Sequence, residues 1–439
     1  MVNEAKQKPP RRYEKMRDSG VAWIGMVPEG WTSFLLGQLV KQVKNKNVLL
    51  QERNLLSLSY GKIKRKDIET AEGLVPASYD GYNIIEKGDI VLRLTDLQND
   101  HTSLRVGLAT ERGIITSAYL TLRPLNSVFP AFLYYALHTF DVRKGFYGMG
   151  AGVRQGLKYD EIRQIKVVLP ALIEQHTIAN FLDKKCSEID AIIADAKASI
   201  EEYKAWKASI IYEAVTKGLD PHAEMKDSGV EWIGKIPKHW GTTALKRICK
   251  RISDGSHYSP PTTAFGLPYV TAGDIHGKGI NYTKCRTISK SDFDLLVKTN
   301  CQPHLGDVLL VKDGATTGRV GLMTDDGPCV LLSSVAMLTP NDGISSEYLM
   351  YLLESDVFQY QIKKTMAGSA MPRTTLSKLM VYTAILCPFD EQVEIVNYLN
   401  AKCSHIEDLI SEKLSLISDL ESYKKSLIYE VVTGKRKVC

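Results

Sequence analysis

The chain has 439 residues, of which 44% are hydrophobic and 24% are charged, and its formal net charge is +6. That length predicts two or three domains, the composition is ordinary for a soluble protein, and the small positive charge favours anionic partners only weakly. The sequence contains neither a signal peptide nor an apolar run of 18 residues, and its eight cysteines form no CxxC pair. These features argue against a secreted or membrane protein and predict free thiols in the cytoplasm.

The chain begins with a basic stretch, residues 1–16, which predicts a flexible arm. Residues 17–31 then read ArgAspSerGlyValAlaTrpIleGlyMetValProGluGlyTrp, and this phrase returns at residues 226–240 with nine of fifteen positions identical. The repetition indicates an internal duplication of about 215 residues per copy. Two Trp residues occur in each copy, and their constant setting beside Pro and Gly favours structural anchors over base-stacking platforms.

A mixed globular region follows each phrase, at residues 32–169 and 241–386. GlyAspIleValLeu (88–92) and GlyAspValLeuLeu (306–310) each predict a turn that enters a strand. ArgValGly recurs at 105–107 and 319–321, a helical pattern at 132–137 and 348–353, and a Gly-rich or small-residue loop at 148–156 and 367–373. The two regions therefore share an α/β skeleton and differ in the loops between its elements.

Each copy ends in a long helical pattern, at residues 171–218 and, displaced by 217 residues, at 390–433. Apolar residues recur every seven positions, for example at Leu182, Ile189 and Ala196, which is typical of a coiled-coil seam. Two such helices most simply pack against each other antiparallel. Cys186 and Cys403 occupy equivalent seam positions, which favours core packing over redox chemistry.

In this order and twice over, these motifs resemble the specificity (S) subunit of type I restriction-modification systems. The resemblance implies an α+β (mixed α/β), internally duplicated chain with two globular target recognition domains separated by two long antiparallel coiled-coil helices. The expected division is a basic arm (1–16), recognition domain 1 (17–169), a central helical spacer (170–218), a linker with recognition domain 2 (219–386), a C-terminal helical spacer (387–434) and a tail (435–439).

The same resemblance implies a non-catalytic reader of double-stranded DNA. Each recognition domain would read one half of a bipartite site through the major groove, and the helices would set the gap and dock two modification (methyltransferase) subunits. Restriction (translocase/endonuclease) subunits would complete some complexes. This chain is expected to bind no cofactor or metal itself, and S-adenosylmethionine, ATP and Mg²⁺ are expected on the partner subunits.

Candidate contacts to DNA are polar or cationic side chains near predicted turns, since such groups read base edges and bind phosphates. The candidates of the first domain are a basic run placed in a loop (Lys62, Lys64, Arg65 and Lys66) together with Arg93, Arg105 and Arg154. Those of the second domain are Ser256, His257, Tyr258, Lys312, Arg319 and Arg373. Each could instead be a solvated surface group. Arg105 and Arg319 are equivalent in the two copies, which suits a backbone or structural role better than differing specificity.

Two other classes of function stay open at this point. An autonomous nuclease or methyltransferase would need a catalytic motif, but the Gly-rich run 148–152 lacks a P-loop ending. Asp220, Glu224 and Lys226 fall in a predicted linker, and an Asn/Asp-Pro-Pro-Tyr motif does not occur. A duplicated protein-binding scaffold would show no salt-dependent affinity for DNA.

Overall fold

Short strands and two very long helices make up the chain in the computed structural model, which describes residues 12–69, 78–97, 104–149, 156–277, 279–325, 327–366 and 372–438. The fold divides into two units, Met1–Ala196 with Leu414–Cys439 (unit 1) and Lys197–Lys413 (unit 2). Unit 2 is one continuous segment, whereas unit 1 combines two segments that are distant in the sequence. Much of the predicted arm and of both Gly-rich loops lies outside the described residues.

The described part of unit 1 consists of short strands, two short helices and parts of both long helices. The strands are β1 (Met16–Asp18), β2 (Met26–Pro28), β3 (Thr32–Leu35), β4 (Val40–Val43), β5 (Leu56–Ser59), β6 (Lys62–Arg65), β7 (Asn83–Ile85), β8 (Ile90–Leu92), β9 (Val106–Leu108), β10 (Gly113–Ile115), β11 (Leu120–Pro124) and β12 (Lys166–Leu169). The helices are α1 (Pro130–Val142), α2 (Tyr159–Ile162) and the first part of α3 (Leu172–Lys217).

A four-stranded antiparallel sheet in the order β4-β11-β8-β9 lies at the centre of unit 1. All three residues of β8 are fully buried. Because side chains alternate along a strand, Val91 packs into a cluster with Leu56 and Ile85 while its two neighbours face the opposite side of the sheet. The predicted turn before β8 is confirmed, and it uses Gly88 at φ +93°.

Unit 2 continues the chain with a second, larger set of elements. Its strands are β13 (Met225–Asp227), β14 (Lys235–Pro237), β15 (Gly241–Ala244), β16 (Cys249–Asp254), β17 (Leu267–Val270), β18 (Ile275–His276), β19 (Gly279–Ile280), β20 (Arg286–Ile288), β21 (Val308–Val311), β22 (Val320–Leu322), β23 (Val330–Leu331), β24 (Val335–Pro340) and β25 (Thr383–Leu386). The helices are α4 (Lys290–Lys298), α5 (Ser346–Glu354), α6 (Asp356–Met366), α7 (Leu376–Val381) and α8 (Phe389–Val432), whose last part belongs to unit 1.

Single turns of 3-10 helix connect some of these elements, at Leu36–Gln38, Val48–Leu50, Gly145–Gly148, Leu245–Arg247, Ala272–Asp274 and Tyr282–Lys284. None of the helices in the described parts of the chain is long and apolar enough to cross a lipid bilayer.

The central sheet of unit 1 has a counterpart in unit 2, where the order is β16-β24-β21-β22. Corresponding backbone hydrogen bonds close both sheets, from Gly88 N to Ala109 O at 2.8 Å and from Gly306 N to Met323 O at 2.9 Å. Unit 2 adds a three-stranded sheet, β20-β17-β23, in which β17 and β23 are parallel. The predicted α/β skeleton is confirmed, and the two units differ in what is inserted around it.

A buried carboxylate occupies the same position in both sheets, and different strands supply its arginine. Asp89 is 1% exposed, and Arg123 on β11 donates to both of its oxygens at 2.7 Å. Asp307 is also 1% exposed, but Thr339 takes the place of Arg123. There Arg251, which lies opposite Thr339 on β16, donates to Asp307 at 2.7 Å. The ion pair is therefore retained although its cation has moved to the neighbouring strand.

The two long helices run antiparallel within each unit. In unit 1, Asp190 of α3 pairs with Lys424 of α8 at 2.6 Å. Nearer the start of α3, Glu174 accepts a hydrogen bond from Tyr13, whose ring lies 5.7 Å from Lys437 Nζ. In unit 2, Lys207 pairs with Glu407 at 2.9 Å, while later α3 residues line a cleft with the earlier α8 residue Tyr398.

The predicted heptad seam is buried. Its α3 residues are 0–8% exposed, namely Leu182, Cys186, Ile189, Ile193 and Ala196. The equivalent thiol Cys403 of α8 is 3% exposed, and burial raises the pKa of Cys186 and of Cys403, the latter to about 11. All cysteines among the described residues are free thiols. The prediction of core packing for this pair is thus confirmed.

The repeated Trp phrases anchor the helix ends. In each phrase two strands form a hairpin, β1–β2 and β13–β14, and the second Trp is buried, with Trp31 2% and Trp240 1% exposed. Gly218 packs closely against Trp240 in unit 2, and Gly434 packs against Pro28 and Trp31 in unit 1. The prediction of structural anchors is confirmed for Trp31 and Trp240. Lys226 lies on β13, so its placement in a linker was wrong.

Candidate nucleic-acid interface

Three members of the basic run of unit 1, Lys62, Lys64 and Arg65, lie on the strand β6, and Lys66 follows it directly. The placement in a loop was therefore wrong for these three residues. β5 and β6 pair in register from Leu56 opposite Arg65 to Ser59 opposite Lys62, and the two residues of the turn are Tyr60 (φ +47°) and Gly61 (φ +77°). Two positive φ values in a two-residue connection are typical of a tight β-hairpin. Alternation along β6 directs Ile63 towards the core cluster and leaves its basic neighbours exposed.

Two of these cations already have carboxylate partners. Lys62 lies 3.4 Å from Asp190, and Arg65 Nε donates to both oxygens of Glu111 at 2.8 Å. The hydrogen bonds between Arg65 and Glu111 raise the pKa of Arg65 and lower the pKa of Glu111. Lys64 and Lys66 are exposed and form no ion pair with the described residues. They are therefore the members of the run most available to phosphate groups.

The carboxylate of Asp190 connects the hairpin to both long helices of unit 1. Burial alone would raise its pKa, but the hydrogen bond from Lys424 and the charge of Lys62 outweigh this effect, and the pKa is lowered. Asp190 is thus held as a carboxylate between two ammonium groups, one from β6 and one from α8.

The arginines of unit 1 have different environments. Arg105 is fully buried, and its guanidinium donates to the backbone oxygens of Arg93, Thr95 and Asp96 at 2.8–3.3 Å. It also donates to the hydroxyl of Tyr147 at 3.1 Å. The structural role favoured for Arg105 is therefore supported. Arg93 is partly exposed beside this network, and Arg154 lies outside the described residues.

In unit 2 the fold brings three loops to one end of the central sheet. Lys312 follows β21 and is 3% exposed, and its Nζ lies 3.2 Å from a carboxylate oxygen of Asp254 and 3.2 Å from one of Asp313. Arg373 Nε contacts the same Asp313 at 2.9 Å. Backbone hydrogen bonds join Gly314 to Pro372 and Thr374 to Lys312. Lys312 consequently ties the loops together and presents almost no surface of its own.

The loop after Asp254 exposes two of the three candidates it carries. Ser256 is 6% exposed, and its hydroxyl bonds the backbone N and O of Tyr258 at 3.0 and 2.8 Å, so it shapes the turn. His257 and Tyr258 project outward, and His257 Nε2 lies 3.3 Å from Asp254. Arg319 is partly buried and donates to Ile275 O at 3.2 Å. Among the candidate residues of this end, those that are exposed are thus His257, Tyr258 and Arg373.

Sequence reasoning missed the acids that organise this surface. Asp254 and Asp313 each contact two of the predicted cationic or imidazole groups. Both acids directly precede Gly in the sequence, a turn signal that could have identified them. Their carboxylates hold Lys312 inside the loops and contact the exposed His257 and Arg373, whose side chains suit contacts to phosphates and base edges. No cluster of metal-binding side chains occurs in the described ranges.

The family model for the type I restriction modification DNA specificity domain matches residues 28–202 and 237–417. The type I restriction enzyme MjaVIII specificity subunit of Methanocaldococcus jannaschii is 25% identical over 407 residues, which cover 87% of this chain and 88% of that protein. The EcoBI specificity subunit of Escherichia coli is 26% identical over 238 residues, 52% of this chain and 49% of that protein.

A solved chain from work on complex assembly and conformational transition of the type I R-M system has the same fold. Its TM-score is 0.66 at 16% identity, and the match covers 92% of this chain and 98% of that chain. The two matched domains cover more than half of the sequence and coincide with its two duplicated copies. The chain therefore belongs to the type I restriction-modification DNA specificity family, as a non-catalytic specificity subunit.

Proposed function

We propose that each unit reads one half of a bipartite site in double-stranded DNA. The observation that supports this most directly is the contrast between a shared framework and different cationic surfaces. Both units retain the four-stranded sheet and its buried ion pair. Unit 1 presents a basic β-hairpin, whereas unit 2 presents three loops joined by Lys312. Because different base pairs need different donors and acceptors, two unlike surfaces on one framework suit two unlike half-sites.

The candidate residues divide into two roles under this proposal. Lys64 and Lys66 would contact phosphates, which fixes the register of the domain on DNA without selecting a sequence. His257, Tyr258 and Arg373 would contact base edges or adjacent phosphates, because they are exposed at the loop end of unit 2. Arg105 and Lys312 would act through the loops that they hold, since both are buried.

The long helices would dock two modification subunits and set the number of base pairs between the half-sites. Helix α3 has 46 residues, which corresponds to about 69 Å at 1.5 Å per residue. Exposed apolar side chains on α3 and α8 support a protein-binding surface, namely Ile192, Trp206, Leu414, Leu416 and Tyr423. In the cytoplasm, the modification subunits would bind S-adenosylmethionine, and restriction subunits, where present, would bind ATP with Mg²⁺.

Mapping of methylated adenine on genomic DNA tests the proposal. Cells would express this chain with its cognate modification subunit, and controls would omit either protein. A split motif that requires both proteins is the expected result. Methylation by this chain alone would contradict the non-catalytic role, and a motif without a gap would contradict the bipartite reading. Replacement of Arg373 by Ala should relax the motif in one half only, whereas Lys64→Ala should leave the motif unchanged and weaken binding.

A further inference from the structure

A turn of unit 1 exposes three consecutive apolar side chains. Val48 is 61% exposed, Leu49 82% and Leu50 52%. Single exposed apolar residues are common on protein surfaces, but a contiguous group in water is unfavourable and usually marks a site of contact. The turn does not belong to the basic hairpin, and sequence reasoning gave it no role.

The backbone of this turn is held in an unfavourable conformation. Leu49 and Leu50 both have positive φ values, +72° and +53°, which bulky side chains rarely adopt. Asn47 is fully buried, and its amide group accepts from Glu52 N at 3.0 Å and donates to Glu52 O at 2.9 Å. A third bond joins Asn47 N to Tyr82 O at 2.9 Å. The bonds at its base hold this turn in a conformation that keeps both leucines exposed, and strained backbone of this kind is common at sites of contact.

Cationic residues flank the apolar tip in the sequence. Lys44, Lys46 and Arg53 lie within a few residues of it and are exposed. Within this short segment, Glu52 is the only acidic residue, and its carboxylate is bound to Arg112 at 3.0 Å. The partner of the tip must therefore combine apolar surface with negative charge. Stacked bases between phosphate chains have both properties.

Hydrogen bonds connect this turn to the basic hairpin. Asn54, just beyond the turn, donates to Glu111 at 3.1 Å, and Glu111 is also the partner of Arg65 on β6. The exposed leucines and the exposed lysines of β6 thus belong to one hydrogen-bonded platform within unit 1.

We propose that Leu49 and Leu50 form a wedge that inserts between neighbouring base pairs of the first half-site. The inference rests on the proposed reading of DNA by unit 1. Insertion of apolar side chains between base steps from the minor groove unstacks them and bends the duplex. The exposed cations of the same segment would bind the flanking phosphates. The wedge favours sequences that unstack easily, so it adds specificity at a step where no base edge is contacted.

The test uses the full chain assembled with its modification subunits, and duplexes that carry the mapped site with 2-aminopurine at successive steps. Wild-type complex should raise the fluorescence of the probe at one step in the first half-site. Leu49→Asn keeps a residue that tolerates positive φ and removes the apolar side chain. It should abolish the fluorescence rise and weaken binding roughly 10- to 100-fold. Leu49→Met should retain both.

Met26 supplies the matched control, because it is an exposed apolar residue of the same unit on β2, 48% exposed. Met26→Gln should leave affinity and fluorescence unchanged. The salt dependence of binding should be the same for Leu49→Asn and wild type, since no phosphate contact is lost. A probe at the second half-site should not respond to Leu49→Asn.

Three results would overturn the wedge. If Leu49→Asn leaves affinity and fluorescence unchanged while the wild-type complex binds its site, the wedge is contradicted and the proposed reading of DNA by unit 1 is not. Loss of the modification subunits from the Leu49→Asn complex in size-exclusion chromatography would identify the turn as a protein-docking surface. A wild-type complex with no specific affinity for the mapped site would contradict the proposed function itself.

Discussion

The buried ion pair of the central sheet can be broken in unit 1 and then rebuilt in the arrangement that unit 2 uses. Replacement of Arg123 by Thr leaves the carboxylate of Asp89, 1% exposed, without the two 2.7 Å hydrogen bonds it receives from the guanidinium. Breaking a buried ion pair typically costs about 3–5 kcal/mol. The Arg123 side chain is 47% exposed, so solvent screens part of the interaction. We expect unit 1 to lose about 2–3 kcal/mol of stability.

Lys41→Arg should then restore about half of this loss, of order 1 kcal/mol. Lys41 lies opposite Arg123 on β4, as Arg251 lies opposite Thr339 on β16. The double variant therefore reproduces the arrangement of unit 2, in which an arginine of the outer strand binds the acid. In the wild-type background Lys41→Arg should change little, since Asp89 is already paired.

Hydrogen exchange measured by mass spectrometry is the appropriate assay, because it reports the opening free energy of each unit separately. Peptides covering β8 and β11 should exchange faster in Arg123→Thr and recover in the double variant. Peptides covering β21 in unit 2 serve as the internal control and should not change. Purely additive effects of the two substitutions would refute the account, since they would show that Lys41→Arg does not reach Asp89.

Three further outcomes are expected. Gln175→Ala should destabilise unit 1 by about 1–3 kcal/mol in the same exchange assay, because the buried amide accepts from Phe129 N at 2.8 Å and donates to Pro170 O at 2.9 Å. Burial, with Lys424 and Lys425, lowers the pKa of His138 to about 4. Its imidazole is therefore neutral when folded and protonates near pH 6.5 when unfolded, so this contribution to stability is lost as the pH falls from 6.5 towards 4. His138→Gln should reduce this loss of stability between pH 6.5 and 4 by roughly 1–3 kcal/mol, as measured in thermal melts over that range. Insertion of four residues into both long helices adds about 6 Å, so methylation mapping should show a gap longer by one or two base pairs of about 3.4 Å, with unchanged half-sites.

Periodicity and repetition were sufficient to predict the framework. The seven-residue pattern identified both long helices, because a helix that buries one stripe of side chains needs apolar residues at that spacing. The repeated Trp phrases identified the anchors at the helix ends. The hairpin β5–β6 was missed because the basic residues of β6 conceal its alternation, and Ile63 is the only residue of the strand that faces inward.

The candidate site was predictable only in part, because it depends on contacts between distant segments. Lys312 looks like a loop cation in the sequence, but its partner Asp254 approaches from another strand and buries it. The equivalence of Arg105 with Arg319 correctly indicated a structural role for Arg105. The leucine turn could not be recognised, since ValLeuLeu is also typical of a buried strand and positive φ values leave no mark on the sequence.

The contacts between the helix ends and the Trp phrases have a consequence for folding during synthesis on the ribosome. Gly434 packs against Pro28 and Trp31, and Lys435 Nζ donates to Ile24 O at 2.6 Å, so the first-made part of unit 1 needs a segment made after all of unit 2. Unit 2 can complete its core as soon as residue 413 leaves the exit tunnel. The second unit in the sequence is therefore the first whose chain is complete during synthesis, and the seam of α3 in unit 1 is covered only after the last part of α8 has been made.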